Sequence, residues 1–91
     1  VSRPVPHVAT EADATPRALS ERIRQLQTEA QALAKEHVQA LLTAMAETQA
    51  IAAEIAVGGP VYHQGSKELA GRVAEALTSQ ILTLQQIAER V

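Results

Sequence analysis

The sequence predicts an all-α protein: an antiparallel helical hairpin with one long and one shorter helix, dimerising into a four-helix bundle or coiled coil. Three observations carry that expectation. The composition is 46% apolar but only 1% aromatic. Alanine supplies much of the apolar share; it is the best helix former and lets helix axes approach closely. Residues 16–57 contain no Gly, no Pro after Pro16, and apolar side chains at three- and four-residue steps. Gly58-Gly59-Pro60 is the one strong break in the chain, where glycine suits a left-handed C′ position and proline cannot continue the ladder.

Taken in order, residues 1–14 include Pro4 and Pro6 and show no sustained periodicity. They are expected to form a disordered arm. The helical hairpin then occupies 15–91. Thr15-Pro16 is a start signal, with Thr as N-cap and Pro at the first helical position, where its missing N–H costs nothing. The first helix is expected over 16–57. Its early apolar residues, Leu19, Ile23, Leu26 and Leu33, follow a heptad seam. The later row, Ala34-Val38-Leu41-Met45-Thr48-Ala52-Ile55, keeps the same steps one residue over, and Ala44, Thr48 and Ile51 widen it on one flank. A seam that broadens predicts one neighbour at first and two or more further along.

Residues 58–65 read as loop, Ser66 as the next N-cap, and 66–91 as the second helix, with Gly71 a weak point. Two seams lie side by side on it, 70-73-77-80-84-87-91 and 70-74-77-81-84-88-91. That is wider than a two-helix contact needs. A short loop makes the helices antiparallel. The second helix, about 25 residues, spans roughly 37 Å, so some 16 residues of the longer first helix are expected to extend past it. Those residues carry Leu19, Ile23 and Leu26, with Leu33 at their root. An apolar row without a cover predicts self-association as a homodimer, or the docking of a helical protein partner.

A length of 91 residues allows one small domain. Net charge is −2 with acids and bases interspersed, which argues against nucleic acid as a partner. The shortage of basic and large aromatic residues, and the lack of an apolar run of about 18–20 residues, argue against a membrane. Nothing in residues 1–14 has the apolar run of a signal peptide, so a cytoplasmic setting is the default expectation. Cysteine is absent, and with it disulfide and thiolate chemistry.

No catalytic residue, cofactor or metal is expected. His7, His37 and His63 fall on arm, helix and loop, with no pair at i,i+3 or i,i+4. The competing functional reading is a phosphotransfer or metal-binding helical bundle centred on His37. Against it, Val38-Gln39-Ala40 follows that histidine where a phosphotransfer helix would want a base and a small residue. The loop holds the sole tyrosine, Tyr62, beside His63. It is expected either to fold Tyr62 or Val61 over the end of the bundle or to present Tyr62 and His63 as a contact tip. The expected function is a non-catalytic protein–protein interaction or regulatory module. Its interaction residues are Leu19, Ile23, Leu26, Leu33, Tyr62 and His63.

Overall fold

The structure, a computed structural model, describes residues 15–90; the arm expected over 1–14 lies outside the described residues, as does Val91. Two helices occupy nearly all of it, α1 (Pro16–Ala56) and α2 (Gln64–Glu89), and no strand occurs among the described residues. The chain divides into two compact units, one ending at Ala34 and one beginning at Lys35.

The described part of the first unit is the N-terminal portion of α1. Thr15 caps it: its Oγ1 accepts from the Ala18 amide at 3.2 Å and its carbonyl from the Leu19 amide at 2.9 Å. Pro16 takes the first helical position, where no amide partner is required. Along the solvated surface, Arg24 pairs with Glu21 at 3.4 Å, an exposed i,i+3 contact of small energetic weight. Every residue from Leu19 to Ala34 is exposed.

The second unit is a helical hairpin formed by the rest of α1 and by α2. The α1 residues that α2 covers step 38-42-45-49-52-56, and the α2 residues that α1 covers step 67-70-74-77-81-84-88. Two contacts fix the register. Gln49 Nε2 donates to Thr78 Oγ1 at 3.4 Å, and Gly71 faces Ala56 across the interface. The contact line is thin. Leu42, Ala52 and Ala74 are the buried residues among those described, and no side chain is fully buried.

This packing selects among the sequence rows. On α2 it uses the second of the two expected seams; Gln80 and Ile87 of the first are exposed. On α1 it uses Leu42 and Gln49 where the sequence suggested Leu41 and Thr48, and Ala56 is half-buried alongside the expected Ile55. One helix can touch only one side of a wide stripe, so Leu41, Thr48 and Ile51 remain exposed.

The turn differs from expectation in three ways. First, α1 ends at Ala56, and the Gly58 amide bonds back to the Ile55 carbonyl at 3.0 Å. No described glycine has positive φ, so Gly58 is not a left-handed cap. Its small size matters instead, because a Cβ there would overlap the Tyr62 ring. Second, Gly59-Pro60-Val61-Tyr62 closes a tight turn, the Tyr62 amide donating to the Gly59 carbonyl at 3.2 Å, with Pro at its favoured second position. Third, α2 starts at Gln64, two residues before the expected start, because His63 is the N-cap and Ser66 lies inside the helix. At the far end α2 stops at Glu89, with Arg90 as C-cap.

Two substitutions test these assignments. Gly71→Ala should raise the thermal midpoint by the equivalent of about 0.5–1 kcal/mol, since its Cβ would meet Ala56 at an ordinary 3.7 Å. Gly58→Ala should lower the midpoint and change the fluorescence of Tyr62, whose ring must move. Thermal scans at one fixed protein concentration check both.

Candidate interaction site

Each unit presents apolar surface that nothing in the structure covers. In the first unit Leu19, Ile23, Leu26 and Leu33 are 49–64% exposed. Helical spacing sets Leu19, Ile23 and Leu26 on one side of α1 with Leu33 in register. The residues between them, such as Glu21, Arg22, Gln25 and Glu29, are polar.

In the second unit the uncovered surface is a groove shared by both helices. It consists of two shallow hollows along one side of the hairpin. One, of about 370 Å³, lies toward the turn and is lined by Ile51, Ile55, Leu69 and Val73 with Thr48 and Ser66. The other, of about 320 Å³, lies toward the open end, between Leu41 and Met45 of α1 and Leu84 and Ile87 of α2. Neither hollow has a charged residue in its lining. The other side of the hairpin is different: Lys67, Glu68, Arg72 and Glu75 line one hollow there, and Gln39, Gln85 and Glu89 another. The hairpin therefore has one apolar side and one hydrophilic side.

This groove is not among the interaction residues expected from the sequence. Its signals are present there, in the doubled seam of α2 and in the flank of α1 widened by Ala44, Thr48 and Ile51. What the sequence leaves open is which strip α2 covers.

At the turn, Tyr62 is 43% exposed with its ring lying over Gly58, whereas Val61 is 86% exposed. Tyr62 thus packs against the turn while keeping much of its surface outside. His63 is exposed, but its ring is engaged locally, with Nδ1 accepting from the Gly65 amide at 3.0 Å. That bond needs an Nδ1 without a proton, as in the neutral ring protonated at Nε2. The His63 carbonyl accepts from the Lys67 amide at 3.0 Å.

His37 sits on an exposed stretch of α1 next to Glu36. Among the described residues no three His, Cys, Asp or Glu side chains form a group able to hold a metal, and no helix is long and apolar enough to cross a membrane. No known protein family, curated protein or solved structure matches the chain.

The cap gives a direct test. His63→Ala should destabilise the hairpin by about 1 kcal/mol, while His63→Asn, which can also accept from the first turn, should restore most of the loss. Denaturant midpoints followed by far-ultraviolet circular dichroism read both variants.

Proposed function

We propose that this chain is a non-catalytic interaction or regulatory module that self-associates through the apolar face of α1 as a homodimeric four-helix bundle. The supporting observation is the ratio of covered to uncovered apolar residues. Among the described residues Leu42 is the one large apolar side chain that is buried and Val38, Met45, Ile55, Val73, Leu77, Ile81 and Leu84 are half-buried, while twelve large hydrophobic residues are exposed, Leu19, Ile23, Leu26, Leu33, Leu41 and Ile51 of α1 among them. The core among the described residues is smaller than the burial that ordinarily stabilises an independent domain.

The magnitudes favour association. Full burial of a Leu or Ile contributes about 1.5–3 kcal/mol, and these six side chains have roughly half of that still to gain. Covering them on two copies would contribute about 9–18 kcal/mol as an upper estimate, against a cost of association of about 4–15 kcal/mol. Titratable side chains among the described residues sit at exposed or half-exposed positions with no enclosed pocket around them, and nothing there favours the His37-centred reading over a solvated surface histidine.

The test is molar mass in solution at micromolar concentration for the full chain and for Leu19→Asp/Ile23→Asp. The wild type should run at twice its chain mass, and the double variant should shift toward monomer by at least tenfold in dissociation constant. His37→Ala should leave the dimer intact. A wild type that is monomeric with full helicity contradicts the proposal and would favour a heterologous helical partner.

A further inference from the structure

The two uncovered surfaces differ in shape. The row of the first unit, Leu19, Ile23, Leu26 and Leu33, stands on a single helix and forms a ridge. The surface of the second unit is a groove between α1 and α2, with hollows of about 370 and 320 Å³. Stacking two hairpins groove to groove would set hollow against hollow and enclose empty space, which close packing disfavours. A ridge laid into a groove fills it. Because α1 runs unbroken from Pro16 to Ala56, the ridge that fills a groove comes from a second copy.

The sequence lets both grooves of a pair be filled at once. Along α1 the positions 19-23-26-30-33-37-41-44-48-51-55 step by 4-3-4-3-4 and then by 4-3-4-3-4, the same read from either end. Such steps hold to one face of a helix. Two antiparallel copies related by a twofold axis beside residue 37 therefore pair positions equally distant from it. Leu19 then meets the partner's Ile55, Ile23 the partner's Ile51 and Leu33 the partner's Leu41, large against large. Ala30 meets the partner's Ala44, small against small, and Leu26 with the partner's Thr48 is the one unequal pair of the row. A slip of one heptad would leave Ile55, or else Leu19 and Ile23, opposite no part of the partner's α1.

Charge does not choose the arrangement. Counted at 100° per residue, Arg22, Glu29, Glu36, Glu47 and Glu54 share one outer flank of α1, all exposed. The register sets Arg22 near the partner's Glu54, but Glu29 near the partner's Glu47 and the two Glu36 near each other; such exposed pairs weigh little either way. The area is sufficient. Each docking joins eight side chains that are about half exposed, the four of the ridge with Leu41, Ile51, Leu69 and Ile87 of the groove. Full burial of a Leu or Ile removes roughly 60–120 Å² from water, so two dockings cover roughly 500–1,000 Å² of apolar side chain. Apolar atoms make up about 57% of an interface, so the whole is roughly 900–1,700 Å², which brackets the ~1,200 Å² lower end for stable pairs. Resting on the homodimer proposed above, we propose that the second copy docks antiparallel, the Leu19–Leu33 ridge of each copy seated in the groove of the other.

The chain has no cysteine, so single cysteines report which residues meet across the dimer. Ala30 and Ala44 are both exposed and serve as sites in the full protein. When Ala30→Cys and Ala44→Cys chains are mixed in a glutathione redox buffer, the mixed disulfide dimer should form roughly tenfold faster than either variant links to itself, because the two sites come within disulfide reach only across the antiparallel pair. Leu33→Cys with Leu41→Cys repeats the reading one layer nearer the axis. Self-linking that outpaces the mixed product sets like position against like, as parallel stacking requires, and overturns the orientation while leaving self-association standing. Dimers by sedimentation in which neither pair forms a mixed disulfide overturn the register. A wild-type chain that sediments as a monomer overturns both this arrangement and the homodimer it rests on.

Discussion

Two cylinders in contact share one line. In this protein that line is made by the 42-45-49-52-56 strip of α1 and the 70-74-77-81-84 strip of α2, and the residues it buries are Leu42, Ala52 and Ala74. Both helices carry apolar surface wider than that strip. On α1 the excess includes Leu41 and Ile51, on α2 Leu69 and Ile87, all more than half exposed. Backbone ordering costs about 1–2 kcal/mol per residue, and a contact line dominated by alanines offers little to offset it. The uncovered groove follows from that single line of contact, because one helix covers only one strip of a wider stripe.

Most of the fold was legible because few signals compete. A long Ala-, Leu-, Gln- and Glu-rich run with no breaker has one reading, and Thr15-Pro16 and Gly58-Gly59-Pro60 mark its ends. The details lost were those that depend on contact across the hairpin. The two seams of α2 differ by one residue at alternate positions and are both largely apolar, Gln80 of the first standing against Ile81 of the second, so the seating against α1 is what separates them. His63 and Ser66 can each accept a hydrogen bond from a first-turn amide. The Gly59–Tyr62 turn brings the chain into α2 early enough for the imidazole to take that place. Gly58 was expected for its backbone freedom and is required for a different property, the room it leaves for the Tyr62 ring.

The candidate site was partly legible for a related reason. Leu19, Ile23, Leu26 and Leu33 form a row whose polar neighbours make it stand out. The groove of the second unit is built from residues on two helices, and the order of residues along one chain does not show which of them adjoin.

A chain whose folding is completed by a second copy must lose stability on dilution, because mass action ties the folded state to protomer concentration. The most direct measurement is the thermal midpoint of helix loss by circular dichroism across a hundredfold range of protein concentration. Folding completed by dimerisation predicts a midpoint that climbs steadily with concentration and partial unfolding at the dilute end. A midpoint that stays constant, with full helicity throughout, would show that the thin contact line between α1 and α2 suffices alone, and would contradict it.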